Sequence, residues 1–309
     1  MNLFETKSGY ESGDISKQDY IDQMFQHHQQ IFDYSQFIKN TDIAKIEIVD
    51  GALIFTSRTD GVKIVCQNND KRFAPNEILN FGAYELVESD MIMRLVPAEG
   101  NVFDIGANIG WYSITIARRY PNANIFAFEP IPQTFDALKK NAAVNQVKNL
   151  RVYDFGFSNV DGELKFYCYP GMSVNASSAN LTGGTEFEEI TSFVKRLDNF
   201  TKEQQVKIDF LKCDVEGAEL LVFQGGMESI SRDKPVIFSE MLRKWSAKFN
   251  YHPNAIIDLF ASIGYQCFTV QGDKLFPFKI MDENTVETNF FFLHAEKHQT
   301  QIDQLVVRK

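Results

Sequence analysis

The chain has 309 residues, of which 44% are hydrophobic and 23% charged, and this is enough to bury a large core. Its formal net charge of −10, without any run of Lys or Arg, argues against a nucleic-acid surface and favours a small or uncharged acceptor. The four cysteines lie far apart, which fits neither a zinc site nor a disulfide framework. The polar N-terminus and the lack of long apolar segments predict a cytoplasmic protein that does not insert into a membrane.

The first 95 residues predict an extension to a main domain. Residues 1–14 indicate a frayed end, and Ile15–Lys39 carries apolar residues at helical spacing, which predicts an amphipathic helix packed on the body or on a partner. Ile43–Cys66 contains three β-rich runs separated by Asp-Gly pairs, a pattern typical of an antiparallel meander. Glu77–Val96 then predicts a helix. We expect any homo-oligomer to form through this extension.

A regular alternation of strands and helices runs from residue 96 to 296. It predicts an α/β domain with a Rossmann-like, doubly wound, mostly parallel sheet of seven strands. The predicted strands are Val102–Ile105, Ile125–Phe128, Leu150–Phe155, Ile208–Cys213, Val236–Glu240, Gln266–Val270 and Phe290–Leu293, and the predicted helices are Gly110–Arg119, Gln133–Asn145, Ala218–Gly225 and Asn254–Ile263. Glu163–Phe193 interrupts the alternation, and we expect its small-residue loop, Gly171–Gly184, to close over an acceptor. Residues 297–309 resemble a polar tail.

The first strand of this domain ends in a glycine turn, "VFDIGANIGWYS" (Val102–Ser113). A dinucleotide-binding turn needs a glycine where this chain has Asn108, because the backbone there must approach a pyrophosphate. Asp104 adds negative charge at the strand end, which is unfavourable near a diphosphate and suits a cation. S-adenosylmethionine carries an ammonium and a sulfonium and has no phosphate, so the turn predicts this cofactor.

A second acidic residue follows the next strand, where "FAFEP" places Glu129. A carboxylate at this point can accept hydrogen bonds from both hydroxyls of a ribose. NAD enzymes use an acid at the same place, so Glu129 alone does not discriminate between the two cofactors. The combination of Asp104 and Asn108 favours S-adenosylmethionine.

Four ordered motifs resemble those of a known family. They are "VFDIGANIGWYS", "FAFEPIPQTFDALKKN", "FLKCDVEGAELLVFQGG" and "VIFSEM". In sequence and spacing they are similar to the successive motifs of the FkbM family of class I, S-adenosylmethionine-dependent methyltransferases, and the resemblance covers about Gly82 to Leu293. Known members are mainly O-methyltransferases that act on hydroxyls of natural products and saccharides. The resemblance therefore implies a small-molecule hydroxyl acceptor for this chain.

The resemblance also assigns residues to parts of the cofactor. It implies that the methionine part is surrounded by Asp104, Gly106, Asn108 and Gly110, that Glu129 lies at the ribose, and that the adenine ring is bordered by Pro130, Ile131, Phe157 and Ser158. The first 80 residues lie outside the shared core, where we expect acceptor choice or assembly to differ between members.

Acidic residues also end the fourth and fifth strands of the domain. Asp214 in "KCDVEGAE" and Glu240 in "VIFSEM" border one crevice, so we predict a carboxylate pair in which one acts as general base. Together they would also suit a divalent cation that acidifies the acceptor hydroxyl. Alternatively, Asp214 caps the next helix and Glu240 pairs with Arg243. His252 is a further candidate base, because histidine titrates near neutral pH.

Three other functions are compatible with parts of this pattern. An NAD-dependent oxidoreductase uses a similar sheet, but Asn108 and Asp104 weigh against it. A non-catalytic cofactor-binding module would keep the same turn. A nucleic-acid methyltransferase is disfavoured by the acidic charge and by "DVEG", where amino-directed enzymes commonly carry Asn/Asp-Pro-Pro followed by an aromatic residue. Within that motif, we expect Glu216 and Glu219 to lie in the first turn of a helix.

Overall fold

The computed structural model describes residues 1–67, 70–169, 172–181 and 187–307. Of the predicted loop Gly171–Gly184, Gly171 and residues 182–184 lie outside these described residues, whereas Met172–Ser177 forms a strand. None of the described helices combines the length and the apolar character needed to cross a membrane.

The N-terminal extension consists of helices around a small sheet. Its elements are α1 (Leu3–Glu11), α2 (Lys17–Phe37), β1 (Ile43–Val49), β2 (Ala52–Ser57), β3 (Lys63–Val65), α3 (Ala74–Phe81) and α4 (Leu86–Leu95). The predicted meander is confirmed, with strand order β1-β2-β3. It is anchored to the main domain because the amides of Lys63 and Val65 donate to the side chains of Asn145 (2.8 Å) and Asn141 (2.9 Å).

Two predictions for the extension were wrong. Residues 1–14 are not frayed throughout, because Asn2 and Glu5 form a reciprocal capping box that starts α1. The single helix predicted at Glu77–Val96 is two helices. Gly82, at φ +92°, ends α3, and its carbonyl accepts from the Asp42 amide at 2.7 Å instead of continuing a helix.

The main domain follows in chain order after α4. Its elements are β4 (Glu99–Ile105), α5 (Trp111–Arg119), β5 (Asn122–Phe128), α6 (Pro132–Asn145), β6 (Leu150–Tyr153), β7 (Gly156–Phe157), β8 (Gly162–Tyr169), β9 (Met172–Ser177), β10 (Glu188–Lys195), α7 (Leu197–Gln204), β11 (Phe210–Cys213), α8 (Glu219–Gln224), α9 (Met227–Asp233), β12 (Val236–Glu240), α10 (Arg243–Ser246), α11 (Asn254–Ala261), β13 (Tyr265–Gln271), β14 (Lys274–Phe278), β15 (Asn289–His294) and α12 (Gln299–Leu305).

The central sheet has the order β14-β13-β15-β12-β11-β4-β5-β6. Strands β12, β11, β4, β5 and β6 are mutually parallel, while β13, β14 and β15 pair antiparallel. The Rossmann-like α/β class is confirmed, but the sheet has eight strands rather than seven. The additional edge strand, β14, contains Pro277, which is tolerated at a sheet edge and weakens a strand signal in the sequence.

A second sheet of four strands, in the order β7-β10-β8-β9, is formed by the segment that interrupts the βα alternation. The C-terminal stretch predicted as a polar tail also contains ordered structure. Helix α12 buries Leu305, and Val306 bridges to Leu275 of β14. Its sequence resembles a tail because its other face is polar.

The core lies on both faces of the central sheet. In β4, Phe103 and Ile105 join one apolar cluster and Val102 joins the other, so successive side chains of this strand are buried on opposite faces. Because both faces are covered, the carboxyl ends of the parallel strands are the part of the sheet left to form a site.

Candidate functional site

The turn after β4 brings two strand ends into close contact. Gly106 has φ +74°, and a Cβ there would lie 1.8 Å from the backbone oxygen of Asp214. The glycine is therefore required by the neighbouring chain, in addition to any ligand above it. Gly110 starts α5, where a Cβ would lie 2.4 Å from Leu138 Cδ1, and it does not line the cavity described below. Its predicted contact with a ligand is thus replaced by a packing role.

Glu129 binds the same turn from the end of β5. Its Oε2 accepts from the Asn108 amide at 2.9 Å, and its Oε1 accepts from the Ile131 amide at 3.0 Å. The side chain is buried, and burial raises its pKa to about 7, although the two hydrogen bonds act to lower it. The amide that would face a phosphate in a dinucleotide site is therefore already bonded to a carboxylate.

A cavity of about 560 Å³ lies over the carboxyl ends of the parallel strands, within the range of roughly 300–1,000 Å³ that small-molecule sites occupy. Its lining includes ten of the residues singled out from the sequence, namely Gly106, Asn108, Glu129, Pro130, Ile131, Phe157, Ser158, Asp214, Glu216 and Glu240. From the end of β5 to the end of β12 there are three strand spacings, or about 14 Å. The cavity thus extends from Glu129 at one end to Glu240 at the other.

Asp104 lies beneath this cavity rather than in its wall, which corrects its predicted contact with the methionine part. It is 1% exposed, and its Oδ2 accepts a hydrogen bond from Ser113. Its Oδ1 lies 3.3 Å from Nζ of Lys212, the residue paired with it across β4 and β11. The negative charge of Asp104 is therefore directed to a buried lysine.

Lys212 lines the cavity and was not singled out from the sequence. Its ammonium also lies 3.3 Å from Asp214 Oδ2 and 3.4 Å from the Gly106 carbonyl. Burial disfavours the ammonium, but Asp214 and Asp104 outweigh burial, and the pKa of Lys212 is raised. A signal was present in the sequence, because a lysine stands inside the apolar strand "FLKC" of a sheet covered on both faces.

Three carboxylates meet at the other end of the cavity. Ligand atoms of Asp214, Glu216 and Glu240 all lie within 4.8 Å of one another. Burial raises the pKa of Glu216 to about 9 and that of Glu240 well above its usual value, and the Asp214 charge adds to both shifts. This arrangement confirms that Asp214 and Glu240 share one crevice, and it adds Glu216 to the pair.

The sequence predicted that Glu216 and Glu219 lie in the first turn of a helix. This prediction is wrong for Glu216 and incomplete for Glu219. Glu216 precedes α8 with φ +53° and lines the cavity. Glu219 begins α8 but is buried, accepting from the Gly217 amide at 2.9 Å and the Val215 amide at 3.2 Å. It therefore holds the loop that presents Asp214 and Glu216.

The alternative roles for the two catalytic candidates do not match their contacts. Asp214 contacts Lys212, and no side-chain cap is formed at the start of α8. Arg243 donates to backbone carbonyls of Asp282, Glu283 and Thr285, away from Glu240.

His252 is not brought to the site. It is exposed, its Nδ1 accepts from the Asn254 amide at 3.2 Å near the start of α11, and it is not among the described residues that line the cavity. The structure therefore does not bring His252 to the cavity, and its role as a general base stays a prediction.

Segments far apart in the sequence complete the walls. Leu164, Phe166 and Val194 of the four-stranded sheet line the cavity near Pro130 and Ile131. Ser177, at the end of β9, donates from Oγ to the Glu216 carbonyl at 2.8 Å, so this sheet also contacts the acidic loop. The N-terminal extension and the segment after β12 supply further lining residues that the sequence did not indicate, namely Arg72, Glu77, Phe81, Tyr84, Glu85, Leu242 and Trp245.

Comparisons with known proteins identify the family to which this chain is similar. The model of the methyltransferase FkbM domain matches residues 104–267, more than half of the chain. "Methyltransferase 1" of Beauveria bassiana is 31% identical over 147 residues, covering 42% of this chain and 59% of that protein. "Hexuronic acid methyltransferase AglP" of Haloferax volcanii is 33% identical, covering 45% and 56%. "2-O-methyltransferase NoeI" of Sinorhizobium fredii is 25% identical, covering 57% and 77%.

The match to the family model begins at Asp104 and includes the turn, Glu129 and the acidic loop at Asp214. The chain spans little more than half the length of the first two of these relatives. The chain belongs to the FkbM methyltransferase family.

Proposed function

We propose that this protein transfers a methyl group from S-adenosylmethionine to a hydroxyl of a small molecule. The observation that carries the proposal is the hydrogen bond from the Asn108 amide to the Glu129 carboxylate, at 2.9 Å. It puts a negative group where a dinucleotide site needs room for phosphate, which disfavours NAD. It leaves a buried carboxylate facing the cavity, which suits ribose hydroxyls.

The lining fits the proposed donor along its length. Beside Glu129, the apolar side chains of Ile131, Phe157 and Phe166 form a slot suited to the adenine ring. At the ends of β4 and β11, the cavity passes Gly106 and Asp214, where acidic side chains suit the ammonium and the sulfonium. The sulfonium of the bound donor is an activated leaving group, so the protein is left to align the acceptor and to remove its proton.

We assign proton removal to the carboxylates at the end of the cavity opposite Glu129. Asp214 has a cation in contact, Lys212, which orients its carboxylate and supports its charge. Glu240 and Glu216 have oxygens within 4.8 Å of those of Asp214, and burial together with the Asp214 charge raises the pKa of both. We therefore assign the base to Asp214, and we assign to Glu240 the hydrogen bond to the acceptor.

The same three carboxylates offer the oxygen ligands that Mg²⁺ and Ca²⁺ prefer, so a divalent cation is the second way to relieve their repulsion. Chelation distinguishes a metal site from proton transfer by the carboxylates alone. Activity that disappears with EDTA and returns with Mg²⁺ assigns the cluster to a metal, and activity that is unchanged assigns it to proton transfer.

One relative's name supports the choice of a hydroxyl, and another's supports a saccharide. The first is a 2-O-methyltransferase and the second a hexuronic acid methyltransferase. Saccharides and hydroxylated natural products are the acceptor class that we propose for this chain.

The experiment is methyl transfer from radiolabelled S-adenosylmethionine into a small-molecule extract, with the wild type and Asp214→Asn. We expect the substitution to reduce transfer by about 10²–10⁴-fold, the usual contribution of a general base. Glu203→Gln, at an exposed carboxylate outside the described lining that pairs with Lys195, is the matched control and should transfer normally. Equal activity of wild type and Asp214→Asn would contradict the assignment.

A further inference from the structure

We infer, resting on the proposed function, that the methyl acceptor carries no carboxylate, phosphate or sulfate, and is a neutral or cationic polyhydroxyl compound. Two observations support it: the charged side chains that line the cavity are mostly acidic, and its two cations already have carboxylate partners.

Acidic side chains outnumber basic ones in the described lining of the cavity. The acidic residues are Glu77, Glu85, Glu129, Asp214, Glu216 and Glu240, and the basic residues are Arg72 and Lys212. Apart from Glu129, which lies at the donor end, the acidic residues surround the end where transfer would occur. An anionic acceptor there would be placed among like charges in a partly dehydrated space.

Both cations already have carboxylate partners. Lys212 is 4% exposed and lies 3.3 Å from Asp104 and 3.3 Å from Asp214, so it cannot turn toward an acceptor without leaving two buried charges. Arg72 donates from Nε to Glu77 Oε1 at 2.7 Å at the mouth of the cavity. The Lys212 ammonium is therefore unavailable to neutralise an incoming anion, and Arg72 is already paired with Glu77, with its side chain 61% exposed to water.

The carboxylates at this end of the cavity also repel a further negative charge from one another's vicinity. The ligand oxygens of Asp214, Glu216 and Glu240 lie within 4.8 Å of one another, and an anionic acceptor would add a further negative charge beside them. A hydroxyl or ammonium group instead offers donors to these oxygens.

Aromatic side chains complete the same end. Phe81, Tyr84, Trp111 and Trp245 line the cavity beside the acids. Flat apolar faces next to carboxylates can pack against the C–H face of a polyhydroxyl ring while the acids accept its hydroxyl protons. Aromatic faces also attract a cation, so an amino-substituted acceptor fits as well.

The test separates labelled products by charge. The enzyme is incubated with radiolabelled S-adenosylmethionine and a small-molecule extract of the organism that encodes it, with and without EDTA, and the products are passed over an anion exchanger at pH 8. We expect at least nine-tenths of the transferred label in the flow-through. Label retained mainly by the anion exchanger would overturn this inference alone, and no transferred label in any fraction would overturn the proposed function with it.

A variant at the cavity mouth tests the role of the Arg72–Glu77 pair. Glu77→Gln frees Arg72 at the cavity mouth, and we expect the retained fraction of the label to increase at least fivefold. Glu189→Gln is the matched control, since Glu189 pairs with Lys165 at the same 2.7 Å on the four-stranded sheet outside the described lining, and its retained fraction should equal that of the wild type. An unchanged fraction in Glu77→Gln would contradict the role given to the Arg72–Glu77 pair.

Discussion

The central sheet and helix α2 use their aromatic side chains in opposite ways. Phe103, Phe126 and Phe128 in β4 and β5 are at most 1% exposed and stack on one another. In α2, all of which the structure describes, no residue is buried, and Phe25 and Phe32 are 60% and 61% exposed. The sheet is thus stabilised within its own chain, whereas the apolar face of α2 contributes little to the fold of the chain that carries it.

The difference also separates the part of the extension that lines the cavity from the part that does not. The donor end of the cavity uses strand ends fixed by the sheet, and the acceptor end adds residues of α3 and the loop before it. The part of the extension near the cavity is therefore a component of the site, whereas α1 and α2 are free for assembly. The homo-oligomer that we expect to form through the extension stays a prediction, and we expect α2 to form its interface.

The largest expected effect compares two phenylalanines. Phe103→Ala removes a fully buried ring from the stacked cluster and should lower the free energy of unfolding by about 3–5 kcal/mol. Phe32→Ala, made in α2, should change it by no more than about 0.5 kcal/mol. Chemical denaturation measures both. Similar losses for the two variants would contradict the contrast between the regions.

The next effect compares two glycines. Gly106→Ala places a Cβ against the Asp214 carbonyl, and we expect a loss of about 3 kcal/mol or more, together with lost donor binding. Gly51→Ala has a similar positive φ, +79°, but no atom within 4 Å of the new Cβ, so only the backbone cost of about 1 kcal/mol applies. Thermal unfolding with calorimetric titration checks both, and equal losses would show that the close approach is unimportant.

A smaller effect is expected from pH. The pKa of Glu129 is raised to about 7, and its ionised form should accept the ribose hydroxyls. Donor binding then favours loss of the proton, so affinity is full above pH 7 and decreases as the pH falls through 7. We expect the Kd of S-adenosylhomocysteine to rise about tenfold from pH 8 to pH 6. In Glu129→Gln the Kd should be higher and flat across this range, and a wild-type Kd that does not change would refute the assigned role.

The smallest effect on stability should accompany a change in assembly. Phe25→Ser with Phe32→Ser replaces exposed rings by a residue of similar helix propensity. If α2 pairs two copies, sedimentation should show a concentration-dependent dimer for the wild type and a monomer for the variant. Gln26→Ser with Gln30→Ser, also exposed on α2, is the control and should keep the dimer. A wild type that is monomeric at every concentration would contradict the predicted dimer.

The sequence predicted much of the cavity wall at the ends of β4 and β5, because local patterns specify it. The alternation of strands and helices placed the parallel strands, and the turn at Gly106 and the acid at Glu129 follow them directly. Both residues line the cavity. Asp214 and Glu240 were also found in one crevice, since acids at the ends of neighbouring parallel strands must lie near one another.

The sequence did not reveal contacts that depend on register and on distant segments. The charge of Asp104 faces Lys212 only because β4 and β11 pair with these residues side by side. Glu77 and Glu85 reach the cavity because the extension docks through β3 onto α6, which no local pattern indicates. The sequence did not place His252 for the same reason, since a loop position does not determine whether a side chain faces the site or solvent.

The most direct test of the account is a calorimetric titration of the wild type and Glu129→Gln with S-adenosylhomocysteine and with NADH. We expect the wild type to bind S-adenosylhomocysteine and not NADH, and we expect Glu129→Gln to weaken this binding at least tenfold without lowering the thermal midpoint by more than a few degrees. Tight binding of NADH, or binding of S-adenosylhomocysteine that is indifferent to Glu129, would contradict it.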